Sequence, residues 1–261
     1  PVTNGEMHAE GVALSAIAAQ FGTPCYVYSK AALAAAYQDF ERAFAGRDHL
    51  ICYAMKANSN LAILNLFAKL GAGFDIVSGG ELGRVQAAGG DMAKVVFSGV
   101  GKSVAEIQAA LNAGIKCFNV ESASELERIN RVAGELKKVA PISFRVNPNV
   151  DAKTHPYIST GLKDNKFGVA YEDAWPLYRK AHAMRNVKIK GIDYHIGSTV
   201  TDIAPFAEAF EKVLDLVDEL EAEGIAISHI DIGGGVGIRY KDETPPTIAE
   251  YAAHLLTLMG A

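Results

Sequence analysis

Seven short apolar runs alternate with amphipathic helical patterns at nearly even intervals, and none of the runs carries a polar face. These features predict an α/β fold, a (β/α)8 TIM-type barrel of parallel strands in which the eighth strand is lacking. The competing architecture is a doubly wound sheet. It is disfavoured because no G-x-G-x-x-G follows the first run.

The runs are His49–Met55, Gly73–Val77, Lys94–Phe97, Lys116–Val120, Ile142–Val146, Val187–Tyr194 and Ser228–Ile232. Each is rich in Val, Ile, Phe or Cys, as expected of strands buried on both faces. Ser103 with Glu106, and Ser122 with Glu125, read as capping boxes, and Gly114 closes the first of those helices. From about Ala204 to Glu223, Phe206, Phe210, Val213, Leu214, Val217 and Leu220 fall on one helical face. After the seventh run come a loop, Gly233–Pro246, and a last helix over Thr247–Met259. With no eighth strand visible, the barrel is expected to be incomplete and two backbone edges to lie open.

Two segments stand outside the repeat. Residues 24–28 read as a strand ahead of the barrel, which divides the chain into an N-terminal segment (1–28) and the incomplete barrel (29–261). Residues 147–170 form a long polar connection, punctuated by Pro148, Pro156, Gly161 and Gly168, and such length usually has a functional reason.

Composition narrows the function. With 25 Lys and Arg against 30 Asp and Glu, the net charge is −5, and no basic run is present to bind nucleic acid or an anionic membrane. The apolar stretches are strand-length, too short to span a bilayer, and residues 1–28 do not read as a secretory signal. Cys25, Cys52 and Cys117 lack metal-type spacing and read as reduced, buried thiols of a cytoplasmic protein. No histidine grouping suggests a metal.

In barrels the reacting groups lie at the carboxyl ends of the strands. Those ends carry Lys56, Asp75, Ser98, Asn119, Arg145, His195 and the Gly233-Gly234-Gly235 run. A lysine facing a cavity from a buried strand tip loses hydration and becomes a nucleophilic amine suited to an aldehyde cofactor; the plain alternative is a lysine reaching solvent. Three glycines after the seventh strand suit either a phosphate or a flexible turn. His195 reads as a ligand, a base, a flat platform or a structural residue. Ser198 offers a hydroxyl to a phosphate or is a loop serine. Arg145 orients a polar group or neutralises a rim carboxylate.

Six stretches turn these pieces into a resemblance. They are Tyr-Ala-Met-Lys-Ala-Asn (53–58), Phe-Asp-Ile-Val-Ser-Gly-Gly-Glu (74–81), Phe-Arg-Val-Asn-Pro (144–148), His-Pro-Tyr-Ile-Ser-Thr-Gly-Leu-Lys-Asp-Asn-Lys-Phe-Gly (155–168), His-Ile-Gly-Ser (195–198) and Asp-Ile-Gly-Gly-Gly (231–235). From about Gly22 onward the chain resembles the fold-type III pyridoxal-phosphate enzymes, whose barrels are of the alanine-racemase kind. Among them it resembles the diaminopimelate decarboxylase family, of which 155–168 is the more characteristic stretch.

The resemblance implies that Lys56 holds pyridoxal 5'-phosphate and that His195 stacks on its ring, these two being the catalytic residues. It implies that Ser198, Gly233, Gly234 and Gly235 bind the phosphate, and that Asp75 and Arg145 line the cofactor site. Lys166 is implied to lie near the interface of a homodimer. The implied reaction is loss of CO2 from the D-centre of meso-diaminopimelate to give L-lysine. The family's eighth strand and C-terminal β domain have no match here, so the chain by itself is expected to be inactive. A non-catalytic pyridoxal-phosphate carrier and a related amino-acid decarboxylase or racemase remain the alternative readings.

Overall fold

The computed structural model describes residues 2–3, 5–151 and 167–260. The chain begins with three short strands, β1 (Val2–Thr3), β2 (Glu6–Ala9) and β3 (Val12–Ala13), which form an antiparallel sheet of their own. Helices α1 (Leu14–Phe21) and α2 (Lys30–Ala43) lead to the first parallel strand, β4 (Cys52–Ala54). There follow α3 (Leu61–Leu70), β5 (Gly73–Ile76), α4 (Gly79–Ala87), β6 (Val95–Phe97), α5 (Val104–Ala113), β7 (Cys117–Val120), α6 (Ala123–Glu135) and β8 (Ala140–Asn147). The described chain resumes with β9 (Val169–Ala170), α7 (Tyr171–His182), β10 (Val187–Asp193), α8 (Ala204–Ala222), β11 (His229–Asp231) and α9 (Ile248–Leu258).

The main path of the sheet is β4-β5-β6-β7-β8-β10-β11, parallel throughout and in sequence order, with β9 added beside the end of β8. The sheet curls. In a flat sheet β7 and β11 would lie three steps of about 4.8 Å apart. Instead their side chains meet: Asn119 Nδ2 is 3.4 Å from Asp231 Oδ2, and Cys117 Sγ is 3.8 Å from His229 Nε2. Among the described residues no ladder joins β4 to β11, so the curl is a part-barrel open on one side. Outside the opening, α9 packs on both α2 and α8.

Burial explains the regularity of the parallel strands. Phe74, Phe97, Phe118 and Phe144 alternate with inward polar residues and fill the layer between sheet and helices. Phe144 meets the Tyr178 ring edge-on at 4.7 Å, and the buried Tyr178 hydroxyl donates to the Gly191 carbonyl at 2.8 Å. On α8 the buried face carries Phe206, Phe210, Val213, Leu216 and Leu220, while Leu214 and Val217 pack at its margin. Ser103 and Glu106 form the expected reciprocal cap, and Gly114 ends that helix in the left-handed region at φ +74°.

Four expectations need correction. Residues 24–28 belong to no strand, since composition cannot supply a strand with a partner, and the short N-terminal strands lie at 2–13 instead. Cys25 is therefore exposed, whereas Cys117 is buried and Cys52 partly so; all three are free. Ser122 caps α6 through the Glu125 amide, but no reciprocal box forms. The Glu125 carboxylate is drawn instead to the Glu121 amide (2.8 Å) and to the buried Lys102 ammonium (2.7 Å). Lys56 is not a buried strand tip. It sits in a 3₁₀ turn beyond β4, exposed beside buried Met55, because β4 has no neighbour on its outer side among the described residues. Lys166 and most of 155–168 lie outside the described residues.

Candidate functional site

The carboxyl ends of the parallel strands all open on one face, and the polar side chains of the curl gather there. β4 delivers Lys56, and Asp75 and Ser98 come from β5 and the end of β6. Ser98 Oγ donates to Asp75 Oδ1 at 2.7 Å. The Asp75 carboxyl is pushed up to about 6, chiefly by burial and further by the negative charge of Asp231, while the Ser98 hydrogen bond, Lys56 and Arg145 oppose the rise. Lys56 is thus within electrostatic reach of Asp75.

On the other arm, His195 follows β10 and the glycine turn follows β11. The His195 imidazole is pushed down to about 3, first by burial and then by the positive charges of Arg145 and Lys56. It is a neutral ring at any physiological pH. Its Nδ1 accepts from the Gly234 amide at 3.3 Å, and the Gly233 amide donates to Asp231 Oδ1 at 2.9 Å.

The loops after β10 and β11 run together. The Val200 amide donates to the Gly235 carbonyl, the Gly237 amide donates to the Val200 carbonyl, and Val200 bridges Val236. Gly235 is obligatory at this crossing: with φ at +96°, a Cβ there would fall 1.9 Å from the Gly197 carbonyl oxygen. The crossing brings Ser198 alongside the glycine turn. Beside the His195 ring the turn presents glycines: a Cβ at Gly233 or Gly235 would lie 3.1 or 3.3 Å from it.

Three carboxylates that strand-end reading missed complete the interior. Asp231, Asp193 and Arg145 are register partners across β11, β10 and β8, so they point to the same side in one row. Asp193 is held well above the usual carboxylate range by burial and by Asp231. The third, Glu121, is buried beyond β7; it accepts from the Gly99 amide at 2.7 Å and the Gly168 amide at 3.0 Å, and lies 3.6 Å from Arg145. The Arg145 guanidinium also lies over the Phe167 ring at 4.9 Å. The signal for Asp193 and Asp231 was present. Inward positions recur every second residue, so the position two before His195, and that two before Gly233, face the same inner side of the sheet.

Among the described residues, no cluster of His, Cys, Asp or Glu could hold a metal ion, and no helix is long and apolar enough to cross a membrane.

A part-barrel with an amine, a neutral imidazole and a glycine turn on one face defines a cofactor-binding α/β barrel domain. The model of the pyridoxal-dependent decarboxylase, pyridoxal binding domain family matches residues 30–261, and the chain belongs to that family. It is 58% identical over 253 residues to the diaminopimelate decarboxylase of Vibrio cholerae, covering 97% of this chain and 61% of that protein. It is 59% identical to the diaminopimelate decarboxylase of Neisseria meningitidis serogroup B, covering 96% and 61%. Its fold is similar to the crystal structure of diaminopimelate decarboxylase from Helicobacter pylori complexed with L-lysine, with a TM-score of 0.93, 43% identity, and 95% and 63% of the two chains covered. The chain thus spans about 61% of the length of these curated relatives.

Proposed function

We propose that this chain is the pyridoxal-phosphate-binding barrel of a diaminopimelate decarboxylase, a carboxy-lyase converting meso-2,6-diaminopimelate to L-lysine and CO2. One observation carries the reading: the Lys56 amine, the His195 ring and the Gly233–Gly235 turn share one face, and the Lys56 charge acts on His195. The donor set fits the cofactor. An exposed primary amine is available to an aldehyde, and the Gly235 crossing admits no side chain beside the amides that would receive a phosphate. The names of the relatives support the substrate, and the L-lysine in the Helicobacter pylori structure supports the product.

In this reading Lys56 would hold the cofactor's aldehyde carbon, and Ser198 with Gly233, Gly234 and Gly235 would hold its phosphate. Neutral His195 would meet the ring without adding a charge, and Asp75 and Arg145 would line the cofactor site. When bound, pyridoxal phosphate supplies an electron sink for the pair left behind as CO2 departs. The chain's own part is orientation and electrostatics: the Asp231–Asp193–Arg145 row would set the charge of the site, and Glu121 steadies Arg145. The whole protein is a cytoplasmic homodimer in this reading.

The test is borohydride reduction of the protein after addition of pyridoxal phosphate, followed by peptide mass analysis. A pyridoxyl adduct on the peptide containing Lys56, absent in Lys56→Ala, is expected. Saturable cofactor binding with the adduct on another lysine overturns the assignment.

A further inference from the structure

The two halves of the site stand on opposite arms of an unclosed sheet. Lys56 and Asp75 belong to the β4–β5 arm, and His195 and the glycine turn to the β10–β11 arm; no ladder joins β4 to β11 among the described residues. A curled sheet open on one side changes its bore with small changes of strand twist. Something must therefore set the distance between the arms. Outside, α9 spans α2 and α8. Inside, among the described residues, a continuous relay of hydrogen bonds runs from one arm to the other.

It starts at Asp75 Oδ1, which accepts from Ser98 Oγ at 2.7 Å. Ser98 Oγ accepts from Asn119 Nδ2 at 3.2 Å, and the same Nδ2 donates to Asp231 Oδ2 at 3.4 Å. Asp231 Oδ1 then accepts from the first amide of the glycine turn, Gly233, at 2.9 Å. Asn119 Oδ1 is occupied too, accepting from buried Ser143 Oγ at 2.5 Å. Asn119 is only 1% exposed. A buried amide is costly unless its donors and acceptor are all engaged, so a residue that merely filled space here would more cheaply be aliphatic.

We propose that Asn119 is a positioning residue whose amide ties the Lys56–Asp75 half of the cofactor site to the Asp231–glycine half across the interior of the curl. It touches no reacting atom and acts through Ser98 and Asp231. The inference rests on the cofactor reading above and adds to it what holds the two halves in register.

Its test is a reversal of polarity in the whole protein, read by spectroscopic titration with pyridoxal phosphate and by thermal unfolding. Asn119→Asp replaces the donor with a second carboxylate against Asp231, and affinity for the cofactor is expected to fall about 10- to 100-fold. Adding Asp231→Asn restores a donor facing an acceptor between the two positions while still accepting from the Gly233 amide, although Ser98 Oγ, whose one hydrogen goes to Asp75, is not engaged again. The double variant is therefore expected to regain at least about three-fold of the affinity that the single variant loses, more than the roughly two-fold within which independent changes add. If Asn119 only fills the core, a second change in the same core adds damage, and the double variant binds no better than the single. That result overturns the proposal, as does an Asn119→Asp protein that binds like wild type. Should Asn119→Asp not fold, the double variant decides in the same two directions. A wild-type protein that fails to take up pyridoxal phosphate is a separate outcome, which removes the site reading and this inference with it.

Discussion

Asp75 offers a perturbation whose size and sign follow from its surroundings. The carboxyl faces Ser98, and its proton is held up to about 6 against an ordinary value of 3.8 by burial and by Asp231, with Lys56 and Arg145 pulling the other way. Between those two values the folded protein binds the proton that the unfolded chain releases. Stability of the cofactor-free protein therefore falls as pH rises from about 4 to about 6, and the full cost is present above that window. At about 1.4 kcal/mol per pH unit, the cost at pH 8 is about 3 kcal/mol. Asp75→Asn keeps the shape and an oxygen that accepts from Ser98, but it never ionises. The variant is expected to match wild type near pH 4 and to exceed it by about 3 kcal/mol at pH 8. With an m-value of about 3 kcal/mol/M, that is a shift of roughly 1 M in the urea midpoint. Urea unfolding of both proteins at pH 4, 5, 6, 7 and 8 measures it. A variant no more stable than wild type at pH 8, or a difference that does not grow between pH 4 and 6, would refute the picture of Asp75 as a carboxylate ionised at a cost.

Lys102 is buried with its ammonium on the Gly99 and Asn119 carbonyls and on Glu125, so Lys102→Met strands a buried carboxylate. A loss of about 3–5 kcal/mol in chemical denaturation is expected, with much of it regained in Lys102→Met/Glu125→Leu. Within the glycine turn, Gly235→Ala drives a methyl into the Gly197 carbonyl, whereas a Cβ at Gly234 meets nothing within 4 Å. Titration with pyridoxal phosphate should show Gly235→Ala weakened at least about ten-fold more than Gly234→Ala, the two loops having been pushed apart by a group that costs several times RT to accommodate.

What the sequence made legible, and what it did not, divides along a physical line. Each of the strands β4 to β8, β10 and β11 is legible, because burial on both faces leaves a mark in the strand itself: Val95–Phe97 is apolar throughout, and Cys117–Val120 carries a single polar residue, Asn119, in a wholly buried run. Residues 24–28 carry the same local mark and form no strand, since pairing requires a neighbour that no local pattern encodes. The site divides in the same way. Lys56, His195 and Gly233–Gly235 stand at strand ends, where position alone singles them out. Asp193 and Asp231 close β10 and β11, one residue short of where the apolar runs end in the sequence, so the positions that follow those runs do not include them.

Lys102, Glu121 and the true role of Asn119 had no local signal at all. Lys102 follows a Gly-Val-Gly loop and looks like any solvated lysine, yet it is 1% exposed because Glu125, from the next helix, comes to meet it. Glu121 binds an amide from the loop after β6 and another from the segment that returns before β9. In each case the meaning of the residue lies in a partner delivered by a different strand–helix unit, an adjacent one for Lys102 and Glu121 and, for Asn119, one three strands away that the curl brings across. Composition therefore locates the chemistry of this fold along the chain. The groups that hold the chemistry in register are brought together by the curl of the sheet, and the interior ties between strands distant in it are where its specificity has to be sought.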